Sequence, residues 1–320
     1  MFYVTMGFQP RLLLPALCGS FAAAAALGCV GGTASSARGA PSSAPSSAPS
    51  PSPARPDDAP QREPAAGGEP QAALRLSYAK DILTITGGAL PGGKLEVWYL
   101  EAFCRSGSTQ REWAQTVIPQ RTELLEKSAD GTRLKLLTRV EGDIEVVHEI
   151  QARDDEVEFQ LTASNVGTNY ADVVWAQPCL SVAAFTGREQ SDYFTRCFIF
   201  VDGAFTALDH TRREVEAIYK GGQVYVPAGV DRKDVNPRPL SPDVPSQPII
   251  GCFSADGRSI LAMAWEPCQE LFQGVRVCIH ADIRIGGLQP GEKKRSRGKI
   301  YVLRGDPEAL LARYRKDFAE

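Results

Sequence analysis

Residues 134–163 constrain the fold more tightly than any other stretch. Ile144, Val146, His148 and Ile150 point one way, while Glu145, Glu149 and Gln151 point the other. Asp154-Asp155 then makes a turn, after which Val157, Phe159 and Leu161 alternate with Glu156, Glu158 and Gln160. A strand places successive side chains on opposite faces, so period-two alternation on both sides of an acidic turn predicts an antiparallel hairpin with one wet face. Ala129-Asp130-Gly131 joins residues 122–127 to 133–139 in a second hairpin. Residues 249–254, the turn Ala255-Asp256-Gly257 and residues 259–265 make a third. Residues 275–285 form a long strand, and residues 298–303 follow the turn Leu288-Gln289-Pro290-Gly291-Glu292. So many antiparallel pairs predict an all-β fold, a large antiparallel sandwich or a barrel. A short C-terminal helix closes it, with Asp306 as cap, Pro307 in the first turn, and Leu310, Leu311, Tyr314 and Phe318 as its apolar stripe.

The N-terminal part of the chain cannot build such sheets. Residues 12–27 are apolar and Ala-rich after a single positive charge at Arg11, and small residues follow around Gly28. This is the charged, apolar, small-residue order of an export signal, with Met6 as a better start than Met1. The run is 16 residues, whereas a membrane-spanning helix needs roughly 20. It ends in Ala26-Leu27-Gly28-Cys29, which resembles a lipobox and implies lipidation at Cys29. Ordinary cleavage nearby is the alternative. Residues 30–71 are mostly Ala, Ser, Pro and Gly, and are expected to remain a disordered tether because they hold too little apolar surface to offset backbone entropy. The expected organisation is therefore a signal over residues 1–29, a tether over 30–71 and one β-sandwich domain over 72–320. The chain is expected in the cell envelope or periplasm, held to a membrane by the lipid anchor.

The formal net charge is −3 and the basic residues are scattered, so no nucleic-acid partner is expected. There is no Gly-x-Ser-x-Gly and no phosphate-binding or dinucleotide glycine motif, and no cofactor is expected. Six cysteines follow Cys29, namely Cys104, Cys179, Cys197, Cys252, Cys268 and Cys278. In an oxidising compartment they permit disulfides, one or two at most, with the pairing open.

Residues 275–285 carry the densest chemistry. One face holds Val275, Val277, Ile279, Ala281, Ile283 and Ile285 and belongs in the core; the other holds Arg276, Cys278, His280, Asp282 and Arg284. His280 and Asp282, about 7 Å apart along the strand, can flank a ligand as acid and base. Arg276 and Arg284 can clamp a carboxylate such as a uronic acid. Glu266 and Gln269 end the preceding strand, expected beside this one, and Trp265 offers a stacking face for a sugar ring. Gln177 approaches the same region. A plainer role leaves His280 paired with a carboxylate, the arginines in rim ion pairs and Cys278 in a disulfide. A metal site is a further alternative, with Cys268, Cys278, His280 and Asp282 as ligands. His148, on an apolar face, reads as a satisfied core histidine, and His210 as a loop residue. The proline-rich residues 228–248 read as a long loop across the sandwich, either bordering a binding site or a surface excursion.

Asn165-Val166-Gly167 after a hairpin, then Trp175 and Pro178-Cys179, then Phe200-Val201-Asp202-Gly203 and the Pro290-Gly291-Glu292 turn resemble the galactose-mutarotase-like β-supersandwich group. Trp265-Glu266-Pro267-Cys268-Gln269 and Cys278-Ile279-His280 are similar to segments of uncharacterised exported bacterial proteins of that architecture. The resemblance implies carbohydrate as the ligand class, for binding or for acid/base processing by an epimerase or lyase. Mutarotation itself is not implied: His210 is followed by Thr211-Arg212 and Glu292 lies in a turn, where mutarotases carry their catalytic His and Glu. The competing function is a non-enzymatic protein-interaction module presented on the tether.

Overall fold

The computed structural model describes residues 73–87, 90–220 and 222–319. The expected signal, Cys29 and tether lie outside them. In chain order the first strands are β1 (Arg75–Ala79), β2 (Ile82–Thr86), β3 (Lys94–Cys104), β4 (Val117–Ile118), β5 (Gln120–Lys127), β6 (Arg133–Val140), β7 (Ile144–Ala152) and β8 (Glu156–Asn165). There follow β9 (Trp175–Ser181), β10 (Cys197–Val201), β11 (Ala204–Ala207), β12 (Gln223–Tyr225), β13 (Pro245–Phe253), β14 (Ser259–Glu266), β15 (Cys268–Gln273), β16 (Cys278–Arg284) and β17 (Lys293–Arg304). They form two antiparallel sheets. One has eight strands in the order β1-β2-β3-β9-β16-β15-β12 with β4 against β3; the other has nine, in the order β11-β10-β13-β14-β17-β8-β7-β6-β5.

The sandwich closes on side chains that the alternation assigns inward. Ile144, Val146, Ile150, Phe159 and Leu161 from the nine-stranded sheet meet Val97, Tyr99, Leu180, Ile279, Ala281 and Ile283 from the other. Each such residue, fully buried, contributes on the order of 2 kcal/mol of transfer free energy. Tyr99, Phe159 and Trp265 stack through the centre, with ring centroids 5.4 and 5.3 Å apart for successive pairs. Gly298 sits opposite Trp265 in register; a Cβ there would come within 2.3 Å of the indole, so only glycine lets the ring lie flat against β17.

The three hairpins form as expected, and Asp306 caps the C-terminal helix Pro307–Asp317 by accepting from the backbone N–H groups of Glu308 and Ala309 at 3.0 and 3.2 Å. This helix changes the wet face of the nine-stranded sheet. Leu310, Leu311, Tyr314 and Phe318 pack on Phe198, Phe200 and Tyr301 there. Glu156, expected to be solvated, is buried and bonded to Lys299 and Arg313 at 2.8 and 2.7 Å.

One pairing differs from expectation. β14 lies between β13 and β17 in the nine-stranded sheet, and β16 lies between β9 and β15 in the other. The strand that ends in Trp265 and Glu266 therefore faces β16 across the core instead of extending it sideways. All six cysteines of the described residues are free thiols, so the expected disulfides are not formed, although Cys197 and Cys252 are direct cross-strand partners.

Candidate functional site

The outward face of the eight-stranded sheet is where polar side chains gather. β16 sends Ile279, Ala281 and Ile283 into the core, so period two sends Cys278, His280 and Asp282 the other way. β9 sends Ala176 and Leu180 inward and Gln177 and Cys179 outward beside them. β3 adds Glu101 and β15 adds Glu270 and Phe272. The proline-rich segment then crosses this face. Its Asn236 backbone N–H donates to Glu270 at 2.8 Å, and the Asp234 carbonyl accepts from Gln269 Nε2 at 2.9 Å. The Ser108 hydroxyl donates to Val235 O at 2.7 Å, pinning the segment from its other side. The strand face expected to carry exposed polar groups is thereby roofed.

His280 is at the centre. Gln177 Nε2 lies 3.1 Å from its Nδ1, Cys278 Sγ lies 3.3 Å from its Nε2, and Asp282 Oδ1 is 3.9 Å from Nδ1. The Phe272 ring packs beside the imidazole with centroids 5.0 Å apart. Gln177 Nε2 also reaches Glu101 Oε2 at 3.5 Å. Gly274 allows the thiol and imidazole to sit this close to the chain, since a Cβ there would meet Cys278 Sγ at 2.3 Å.

Burial and proximity set the protonation states. Burial pushes the Glu101 carboxyl above the usual range, with His280 pulling partly back. Burial raises Glu270 to about 8, against the Asn236 hydrogen bond and His280. Asp282 is also raised, by burial and by its carboxylate neighbours Glu270 and Glu101. Burial alone would lower His280, but Cys278, Glu101 and Glu270 outweigh it and favour the imidazolium. The Cys278 thiol is lowered to about 4, by its hydrogen bond with Cys179 and then by His280, against burial. A thiolate–imidazolium pair beside a protonated carboxyl pair follows. Both Asp282 oxygens, Glu270 Oε1 and Gln269 Oε1 are buried without a hydrogen-bond partner.

Above this layer opens a cleft of about 380 Å³, lined by Glu101, Arg111, Trp113, Gln177, Asn236 and Arg238 together with Glu112, Pro237, Phe272 and Val275. Trp113 is 38% exposed, and its ring lies 6.1 Å from the buried Trp175. Larger grooves of about 540 and 870 Å³ run over the nine-stranded sheet. In the first, Lys135 pairs with Glu149 and Arg153 with Glu158, and neither groove is lined by an aromatic side chain.

The structure brings His280, Asp282 and Gln177 together, with Gln269 at the edge, and separates the rest. Asp282 is fully buried and His280 is 1% exposed, so Asp282 acts behind His280 and cannot flank a ligand opposite it. Trp265 is 1% exposed inside the sandwich and has no face to offer a sugar. Glu266 turns toward the C-terminal helix, where it accepts from the Tyr314 hydroxyl and pairs with Arg297 at 3.4 Å. Arg276 is exposed before β16 and Arg284 is half-buried at its far end, 3.5 Å from Gly229 O. The seven-residue strand β16, about 20 Å of extended chain, lies between them, too far to grip one carboxylate. The expected metal set also changes. Cys268 donates to Glu270 O at 3.3 Å, and Cys179, Cys278 and His280 are the potential ligands that converge.

Glu101, Trp113, Asn236 and Glu270 were not marked as site residues by sequence. Glu270 carried a signal: it stands with Gln269 and Gln273 in a six-residue strand otherwise formed by Cys268, Leu271 and Phe272, and a buried carboxylate needs a reason.

No family model matches the chain, and no curated protein does. Solved structures do resemble it, among them galactose mutarotase-like proteins and aldose 1-epimerases, the group that the sequence motifs resemble. A putative aldose 1-epimerase from Escherichia coli K12 aligns at 11% identity over 72% of this chain and 98% of its own, with a TM-score of 0.38. Galactose 1-epimerase from Lactobacillus acidophilus NCFM aligns at 10% identity over 74% and 99%, TM-score 0.36. Alpha-N-acetylgalactosaminidase NagBb from Bifidobacterium bifidum, in complex with GalNAc, aligns at 13% identity over 76% of this chain and 37% of its own, TM-score 0.43. At these scores the likenesses carry no argument about the site.

Proposed function

We propose that the protein is an exported, lipid-anchored envelope protein whose β-sandwich binds carbohydrate, neutral or uronate-containing, in the cleft lined by Glu101, Gln177 and Trp113. The observation that carries this reading is the lining: an exposed indole beside two carboxyls, two amides and two guanidinium groups. A sugar ring presents an apolar face to stack on Trp113 and hydroxyls that need both donors and acceptors. Arg111 and Arg238, both in the cleft lining, supply positive charge for a uronate. Glu101 is a carboxyl of the cleft lining, and its raised protonation range suits proton exchange with a ligand, should turnover occur. Calorimetric titration with monosaccharides and uronates tests the reading: one site per chain is expected, weakened about tenfold in Trp113→Ala and in Glu101→Gln. Silence across the panel refutes it.

Export and anchoring rest on residues 6–29 alone. Metabolic labelling with a radioactive fatty acid tests them: label is expected on the native chain and absent from Cys29→Ser.

A further inference from the structure

Cys179, Cys278 and His280 stand apart from the rest of the molecule as the set of potential ligands that meets at a point among the described residues. One donor atom from each lies within 4.8 Å of the other two. A tetrahedral zinc ion, with bonds of about 2.3 Å to sulfur and about 2.0 Å to nitrogen, needs its ligand atoms roughly 3.5 to 3.8 Å apart. Cys278 Sγ and His280 Nε2 already stand at 3.3 Å. We propose that these three side chains bind a thiophilic divalent cation of the zinc class, with the fourth position directed toward the cleft and Glu101.

The scaffold favours this on three counts. The ligands come from β9 and β16, adjacent paired strands in the middle of the eight-stranded sheet, so little chain entropy opposes the geometry. Gln177 lies 3.1 Å from His280 Nδ1. With its amide oxygen turned to that nitrogen, an orientation that exchanges two atoms of equal size, it accepts the Nδ1–H and leaves the Nε2 lone pair facing the two sulfurs. Metal-bound histidines are generally held in this way from behind. Finally, the desolvated patch around the three ligands leaves both Asp282 oxygens without a hydrogen-bond partner, and unsatisfied buried polar groups mark places where an ion or water belongs. Three protein ligands with a fourth position open toward a cleft is the layout of ion sites that act on a bound molecule, whereas purely structural zinc sites close all four. The proposal does not depend on carbohydrate binding, which can be titrated with chelated protein.

Metal binding is read on the reduced full-length chain by competition with a chromophoric zinc chelator and by cobalt substitution. One ion per chain is expected, with thiolate-to-cobalt charge-transfer absorption of two thiolates. Cys179→Ser should halve that absorption, and Cys179→Ser, Cys278→Ser and His280→Ala should each weaken zinc at least 100-fold. Cys104→Ser, which removes a buried thiol outside the set, should leave zinc binding unchanged. Should a variant misfold by circular dichroism, the cobalt spectrum of the native chain decides alone. Substoichiometric binding, a spectrum without thiolate bands, unchanged affinity in folded Cys278→Ser, or a Cys179–Cys278 disulfide in protein isolated from the cell envelope would each overturn the proposal.

Discussion

His148 and His280 are both buried histidines in the middle of strands, one in each sheet, yet they have opposite surroundings. His148 points into the sandwich, where the Tyr99 and Thr138 hydroxyls meet its two ring nitrogens at 3.0 and 2.9 Å. A neutral imidazole offers one donor and one acceptor, so two hydroxyls satisfy it fully. No charge lies close by, and burial lowers it to about 3. His280 points away from the core, under a roof of loop, among two thiols, three carboxyls and an amide, and its surroundings favour the cation. The difference teaches that burial of a histidine says little by itself. What its partners are, and whether they leave acceptors unused, separates a core residue from a site.

The largest expected effect of breaking this contrast is on stability at His148. His148→Ala removes a filled volume and orphans two buried hydroxyls, which should cost about 3 kcal/mol in chemical denaturation while leaving sugar affinity of the folded fraction unchanged. His280→Gln should show the reverse pattern, with sugar affinity falling about tenfold and the unfolding midpoint changing less than in His148→Ala.

The acid response of His148 comes next. Its folded value lies below the ordinary 6.5, so between about pH 6.5 and 3 the unfolded chain takes up a proton that the folded chain refuses. Stability contributed by the neutral histidine is fully present above pH 6.5 and falls on acidification, at up to about 1.4 kcal/mol per pH unit. His148→Gln should flatten that component of the stability–pH curve, and an unchanged slope would contradict the assignment.

Smaller effects sharpen the boundary of the site. Glu266→Gln weakens a charge-assisted contact with Tyr314 and Arg297 and should cost about 1 kcal/mol of stability, with no change in sugar affinity. A loss of affinity there would move the site to the other sheet.

The pleat made much of the fold legible. Alternation in β7 and β8 assigned the inward residues correctly because side-chain direction is a local property of a strand; in β16 it held for Ile279, Ala281 and Ile283, whereas Val275, expected in the core, is exposed before the strand begins. Sheet membership is not local. Trp265 and Glu266 were expected beside His280 because β14 and β16 are neighbours in sequence, yet β14 pairs with β17 and the indole fills the core. The row Cys278, His280, Asp282 was visible for the same reason that the core was. Gln177 was placed near it, but Glu101 from β3, the meeting of Cys179 from β9 with His280, and the roof from residues 234–236 were not visible. Those contacts span long stretches of chain and appear only when the sheet order is known. Likewise Arg276 and Arg284 share a strand face, but the length of the strand separates them.

The central claim is that the roofed face around His280 opens into a carbohydrate-binding cleft beside Trp113. Indole fluorescence and calorimetry on the native chain and on Trp113→Ala, titrated with the same neutral sugars and uronates, test it most directly. The account predicts saturable binding to one site in the native chain, with affinity about tenfold lower in the variant and stability within 0.5 kcal/mol of native, as for an exposed substitution. Binding of equal strength in both proteins, or none in either, would contradict it.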